Sequence, residues 1–370
     1  LVLTAALLAT AAPARAQTPS PTTPRTASVN VPPGVTAGIA VYDRQTGTFT
    51  EQSDAHTQFR SASVVKLLIA LDHLWDRGPG YGLPLDDRAR LDSMLRSSDD
   101  SAADFYWTQD GGSAIIDRMI PRLGLTDTAG PPADYPGYWG YTALSAADTV
   151  RIYRWILDSA PAALRDIVMG DLRASTRCGV DGFDQRFGIP ASFQQPWAVK
   201  QGWSGFGESS DCADTTASAA GRRVTTAPGA GVDLARPALH TTGTVGAGDR
   251  SIVAVFTLHP QGTPFGAAYS ALDTLVRSLN VPGAVPRSGL WYGTWGSHVQ
   301  VRADTTTSSQ ALTRLPAGVD ALIGCQKQGE EVTDGQYTND WWAYLPLYGG
   351  YITNIYINYP DNKLPDVPVC

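Results

Sequence analysis

The chain has 370 residues, 43% of them apolar, a net charge of −7 and only 17% charged residues, well under the ~25% of an average soluble domain. A nucleic-acid partner needs a basic face, so this acidic, sparsely charged balance excludes one. The length allows one large core and a smaller module.

The opening Leu1-Val2-Leu3-Thr4-Ala5-Ala6-Leu7-Leu8-Ala9, with Ala14-Arg15-Ala16 after it, predicts a secretory signal over residues 1–16 that lacks its basic start. It is short for a membrane span, and no other stretch qualifies. Gln17 to Gly34, rich in Pro, Thr and Ser, reads as an extended stalk. Four cysteines in an exported chain predict two disulfides. Sequence does not fix their pairing; keeping each bridge within one module favours Cys178 with Cys212 and Cys325 with Cys370. A metal site is disfavoured, because the cysteines are widely separated and no histidine spacing supports one.

Ordered structure is expected from Thr36 to Asp43 as a strand, a turn at Arg44-Gln45-Thr46-Gly47, and a second strand from Thr48. The hairpin leads into Ser63-Val64-Val65-Lys66-Leu67-Leu68-Ile69-Ala70-Leu71, read as a helix ending near Arg77-Gly78-Pro79-Gly80. Three residues apart, Ser63 and Lys66 share a helix face. The helix is apolar all round and therefore buried, where a lysine with a lowered pKa can serve a serine nucleophile as base. The Ser63 N–H, at a helix start, points at anions.

Asp86 to Leu95 reads as helical and is followed by Ser97-Ser98-Asp99-Asp100-Ser101-Ala102-Ala103. Ser145 caps a helix from Ala146 to Leu157. Trp197 to Trp203 reads as a strand carrying Lys200; strands Ala238 to Val245 and Ser251 to His259 follow. A last helix sets Leu272, Leu275, Val276 and Leu279 on one face. Strands at both ends of a helical middle predict an α+β fold with an antiparallel sheet built from distant segments.

Ser63-Val64-Val65-Lys66, Ser98-Asp99-Asp100 and Lys200-Gln201-Gly202 resemble, in order, the Ser-x-x-Lys, Ser-Asp-Asn and Lys-Thr-Gly set of class A β-lactamases and penicillin-binding proteins. The resemblance, over residues 35–280, implies the penicillin-recognising serine hydrolase fold. It implies Ser63 as acylated nucleophile, Lys66 as its base and Ser98 as proton relay. Lys200 would hold the relay and attract a substrate carboxylate, and the backbone N–H groups of Ser63 and Trp203 would form an oxyanion hole. Asp100, Gln201 and Gly202 would contact substrate. No cofactor is implied.

Four departures accompany the resemblance. Asp100 stands where an Asn amide would donate to the substrate, and an ionised Asp only accepts; it either faces the substrate, protonated and donating or opposite a substrate donor such as an ammonium, or turns to pair with Lys66 or Lys200. Gln201 replaces Thr, and Trp203 brings a large ring. The stretch Thr126 to Thr142 lacks the glutamate that activates the hydrolytic water in class A enzymes. Asp134 and Glu208 are the substitutes on offer. The histidines His56, His73, His240, His259 and His298 are scattered and read as structural.

Val281 to Gly296 reads as a linker. Short strands then follow at Val299 to Ala303, Leu315 to Val319, Ala321 to Cys325, Asp340 to Tyr344 and Gly350 to Thr353. The words Val-Arg-Ala-Asp-Thr, Leu-Pro-Ala-Gly, Asp-Trp-Trp and Gly-Gly-Tyr-Ile-Thr resemble a bacterial SH3-like domain over residues 297–370, implying a small all-β barrel that binds cell-wall peptides. Strand alternation places at least one of Trp341 and Trp342 in its core. Together the resemblances imply a secreted, wall-associated serine hydrolase that acylates a β-lactam or peptidoglycan-type amide and deacylates slowly. The alternative is a wall-binding or ligand-binding protein whose altered site no longer turns over.

Overall fold

The computed structural model describes residues 29–207, 212 and 231–370. The signal, the stalk up to residue 28 and Glu208 lie outside the described residues. In chain order, the first module contains strands β1 (Thr36–Asp43), β2 (Thr48–Ser53) and β3 (Phe59–Arg60), then helices α1 (Lys66–Leu74), α2 (Leu85–Arg96), α3 (Asp100–Gln109) and α4 (Ala114–Leu123). Next come β4 (Ala143–Leu144), α5 (Ala146–Asp158), α6 (Ala162–Arg173), α7 (Ile189–Ser192), β5 (Trp197–Ser204), β6 (Ala238–Val245), β7 (Ser251–Leu258) and α8 (Phe265–Arg277).

The main sheet runs β2-β1-β7-β6-β5, antiparallel throughout. Side chains alternate across a strand, and both faces of this sheet are covered. Ala40, Tyr42, Ala198, Ile252, Ala254 and Phe256 join the core of the helical layer. Ile39, Val41, Val199, Val253 and Val255 join the core under α8. Two-sided burial explains why β7 reads as a nearly continuous apolar run; β6, equally buried, instead carries His240, Thr241, Thr242 and Thr244, each hydrogen-bonded.

Helix α1 sits at the centre of the helical layer, every residue but Asp72 buried. Asp72 itself takes Arg118 and Arg122 of α4. The helix begins three residues later than its sequence suggests. Ala62–Val65, which carries Ser63, is a tight 3-10 turn that passes into the α-helix at Lys66. The turn is pinned by the Ser61 N–H on Thr142 O at 2.8 Å and starts from Ala62 at φ 45°. The Ser145 cap is present, its hydroxyl accepting from the Asp148 N–H.

The second module comprises β8 (Leu290–Gly293), β9 (Gln300–Arg302), β10 (Ala311–Arg314), β11 (Asp320–Ile323), β12 (Cys325–Asp334), β13 (Tyr337–Leu345) and β14 (Gly350–Thr353). Among the described residues these form a five-stranded sheet, β10-β9-β14-β13-β12, and a separate β11-β8 pair, where a closed barrel was expected. Leu315 to Val319 is not a strand; β10 precedes it. Trp342 is buried and Trp341 only partly.

The segment 281–296 is no loose linker. Its β8 pairs with β11, and Arg277 of α8 lies 4.0 Å from the Trp291 ring centroid. One apolar cluster runs from Val199, Leu272 and Val276 through Val319, Ile323, Leu345 and Ile352, so the two modules share a core. Gly266 of α8 approaches so closely that a Cβ there would lie 2.2 Å from Ala317 O. Both disulfides form, Cys178 with Cys212 and Cys325 with Cys370.

Candidate active site

Three chain segments meet beside the 3-10 turn. Strand β5 crosses it so tightly that a Cβ on Gly202 would lie 3.0 Å from Ser61 O and from a Val64 methyl. Only glycine lets the strand pass there. The close crossing brings Lys200, two residues earlier on the same strand face, under the site. From the helical side, α1 contributes Lys66, one turn after Ser63. The α2–α3 junction contributes Ser98 and Asp100. Asp99 caps α3, its carboxylate accepting the Ser101 and Ala102 N–H groups and the Ser93 hydroxyl. Ser98, just before the cap, is held at φ 56°. Non-glycine residues rarely adopt this region, and their strain tends to collect at functional sites. Here Ala62 and Ser98, one beside each candidate serine position, both carry it.

Lys66 is fully buried and its ammonium has three acceptors: Ser98 O at 2.6 Å, Asp100 Oδ1 at 2.6 Å and Ser98 Oγ at 3.3 Å. The Trp139 ring lies over it, 4.7 Å from Nζ. Lys200 Nζ reaches Ser98 Oγ at 2.9 Å and Gln201 O at 3.2 Å. Burial, then the charge of Lys66, pushes the Lys200 amine well below the ordinary lysine range, with Asp100 and Asp181 acting in the opposite direction. Ser98 thus bridges the two lysines. The Ser63 hydroxyl makes no hydrogen bond to either among the described residues.

The remaining expected site residues are placed as follows. Asp100 turns to Lys66, the second of the two orientations open to it. Gln201 and Trp203 lie on the opposite face of β5 from Lys200. The Gln201 amide donates to Gln185 O at 3.0 Å and Phe187 O at 2.6 Å, which spends both its hydrogens on bracing the loop before α7. The Trp203 ring packs against Phe183 and Phe187, away from the lysine face of β5. Its indole N–H donates to Asp181 Oδ2 at 2.8 Å.

Sequence reading missed Asp181. It sits on the loop that Cys178 ties to Cys212, and Val180 N–H on Ser97 O at 2.9 Å lays this loop beside the Ser98 junction. Burial raises the Asp181 carboxyl above its usual range. No spacing signal could have found it, because its approach depends on the disulfide loop. From the stretch Thr126 to Thr142, Trp139 is the residue that reaches Lys66. Its indole is held by Asp104 at 2.8 Å, and Gly140 packs against Ala62. Asp134 is exposed and Asp127 is engaged with His56 and Ser145.

The histidines away from the site have structural partners. His240, fully buried, donates to Arg60 O and accepts from the Thr257 N–H, and burial lowers it to about 3. Among the described residues no group of His, Cys, Asp or Glu side chains is placed to hold a metal ion. No described helix is long and apolar enough to cross a membrane.

No family model matches the chain. It is 44% identical over 176 residues to a protein of Mycobacterium bovis and of Mycobacterium tuberculosis described as "Putative lipoprotein LppW". The match takes in 46% of this chain and 54% of those relatives, so the chain spans about half their length. Among solved structures it is similar to PBP-A, with 16% identity, TM-score 0.46 and coverage of 68% of this chain and 90% of that one. It is also similar to the class A β-lactamase of Mycobacterium abscessus, at 16% identity, TM-score 0.45 and coverage of 66% and 92%. The β-lactamase of Streptomyces albus G gives 18% identity, TM-score 0.45 and the same two coverages, 66% and 92%.

Proposed function

We propose that the chain is an exported active-site-serine hydrolase of the β-lactamase and penicillin-binding type, forming an acyl-enzyme on a β-lactam or a peptidoglycan-type amide. The observation that carries this reading is the convergence of Ser98 on both Lys66 and Lys200, with Ser63 one turn from Lys66. A hydroxyl bridging two buried amines moves protons between a nucleophile and a leaving nitrogen. Ser63 attacks the carbonyl carbon and a lysine amine receives its proton. The backbone N–H groups of Ser63 and Trp203 hold the developing oxyanion, and Ser98 returns the proton to the departing nitrogen. The Gly202 crossing supports the oxyanion role by keeping β5 against the serine turn.

Slow deacylation is part of the proposal. No carboxylate of residues 126–142 bonds to Ser63 or Lys66, and the residue of that stretch that lies over Lys66 is Trp139. Export is supported by the two disulfides and by the lipoprotein description of the relatives matched over about half their length. The second module, SH3-like in its sequence words, is proposed to hold a cell-wall peptide. Exposed Trp295 and Tyr337, with ring centroids 6.1 Å apart, are its most accessible aromatic surface.

A second reading has its own observation. With three acceptors on Lys66 and none of them Ser63, the site also suits a protein that binds its ligand without turnover. The deciding experiment is intact-protein mass after incubation with penicillins, cephalosporins and wall peptides. A covalent adduct on the full chain supports the hydrolase; reversible binding without adduct supports the second reading.

A further inference from the structure

The two lysines have different surroundings. Lys66 carries three hydrogens as an ammonium and has three acceptors, one of them the Asp100 carboxylate at 2.6 Å. As a neutral amine it would leave one acceptor unmatched beside a carboxylate, a costly arrangement in a buried site. Lys200 touches no carboxylate among the described residues: its two polar contacts are Gln201 O, which can only accept, and Ser98 Oγ, a hydroxyl that can donate as well as accept, so a neutral amine satisfies both. The polarity of the chain then runs one way. Lys66 donates to Ser98 Oγ, and the Ser98 hydroxyl hydrogen is free to point to Lys200 Nζ at 2.9 Å.

We infer that the two lysines exchange the roles the motif set implies: Lys200, through Ser98, is the base that takes the Ser63 proton, and Asp100 keeps Lys66 as a fixed ammonium. The inference rests on the hydrolase reading above and names the base within it. The proton balance closes. As Ser63 Oγ bonds to the carbonyl carbon, its proton passes to Ser98 Oγ, directly or through one water, and the Ser98 proton passes to Lys200. When the C–N bond breaks, Ser98 protonates the leaving nitrogen and Lys200 returns a proton to Ser98. Lys66 meanwhile stays charged and keeps donating to Ser98 Oγ, which fixes the direction of the relay.

The other groups around Lys200 are accounted for. Lys66 and burial favour its neutral form, while Asp100 and Asp181 oppose it. From α5, Tyr153 hydrogen-bonds the backbone of Lys200 and to Thr242, and its phenol is itself raised by burial. His240 of the neighbouring strand faces Arg60 and Thr257.

The chain has only four lysines, Lys66, Lys200, Lys327 and Lys363, so nitrogen-15 lysine NMR on the full chain reads the charges directly. Lys327→Arg and Lys363→Arg remove the two surface signals, and the Trp139 ring current marks Lys66. On raising the pH, the Lys200 signal is expected to report loss of its proton before the ring-shifted signal does. Acylation by benzylpenicillin, followed by mass, should rise with the same midpoint as the Lys200 titration. A neutral Lys66 beside a charged Lys200, two charged lysines throughout, or an acylation midpoint that follows Lys66 would overturn the assignment. If no acyl adduct forms with any probe, the hydrolase reading fails and the base role with it, while the NMR still decides the charge assignment.

Discussion

Asp100 Oδ1 accepts from Lys66 Nζ at 2.6 Å, yet 63% of the Asp100 side chain remains exposed. The pair therefore joins a lysine with no access to solvent to a carboxylate at the mouth of the site. Solvent screens the outer partner, so the pair adds little to stability. Its effect is on chemistry, since it sets the charge of the amine next to the candidate nucleophile. An incoming ligand that presents a donor at this position must share the carboxylate with Lys66.

Asp100→Asn removes that charge and restores an amide donor. If Asp100 faces the acyl-side carbonyl of a bound substrate, acceptor opposes acceptor at a cost of ~1–3 kcal/mol. The variant should then acylate with benzylpenicillin at least about fivefold faster. Ampicillin, which carries an amine on its side chain, should gain less. Equal wild-type rates with both compounds, and no gain in the variant, would remove Asp100 from recognition.

Ser63→Ala should abolish covalent adducts and Ser61→Ala should keep them. Ser61 is fully buried and its hydroxyl points to Ala62 O at 3.2 Å and Gly140 O at 3.4 Å. Peptide mapping of the adduct to Ser61 or Ser204 would contradict the assignment.

Once formed, the benzylpenicillin adduct should persist for many minutes. The segment that would bring a hydrolytic carboxylate brings Trp139. Steady-state hydrolysis at the ~10–10³ s⁻¹ of ordinary enzymes would mean that another group activates water. Trp139→Gly, which opens space over Lys66, should shorten the adduct lifetime.

His240 and His259 give the fold an acid-sensitive component. Burial lowers them from 6.5 to about 3 and about 4 respectively. Both are neutral when folded and take up protons only on unfolding below pH 6.5. Their contribution is therefore complete above pH 6.5 and is lost as pH falls toward 4, at about 1.4 kcal/mol per pH unit for each. Asp171, raised by burial to about 6, has the opposite sign: its contribution is complete below 3.8 and is lost as pH rises through 6. Urea midpoints of wild type and His240→Gln between pH 4 and 7 should differ in slope, with the variant flatter. Parallel curves would show that His240 titrates normally in the folded chain.

Removing residues 289–370 should destabilise the first module. The shared cluster loses Val319, Ile323, Leu345 and Ile352, and each buried aliphatic side chain contributes ~1.5–3 kcal/mol. The truncated chain should melt well below the full chain, with α8 exchanging amide hydrogens fastest. An unchanged melting temperature would mean that the two modules stand independently.

Much of the first module was legible from the chain alone. The bounds of β1 and the strand character of β5, β6 and β7 followed from strand-length segments rich in β-branched and aromatic residues between turn residues, and the Ser145 cap from its spacing. Ser63, Lys66, Ser98 and Lys200 were legible as motif words, and the fold brings the last three into hydrogen-bond contact. The direction in which Gln201 and Trp203 point was not legible. It depends on which face of β5 turns toward the serine turn, and both faces are buried, so no polar and apolar alternation marks them. Strand β12 was missed because most of its residues are exposed and polar, which leaves no core-facing rhythm. Asp181 was invisible because a disulfide loop, not a helix or strand period, delivers it.

The rim of the site is fastened to the far end of the chain. Arg177, next to Cys178, donates to Leu347 O at 2.6 Å, and the Thr313 hydroxyl donates to Cys212 O at 3.0 Å. Both halves of the Cys178–Cys212 bridge are thus gripped by the second module. A ligand that shifts that module would pull on the loop bearing Asp181, beside the lysines. Replacing this module with another would remove two anchors of the loop that flanks the pocket, so the module acts as part of the pocket's scaffold and not as a detachable cassette.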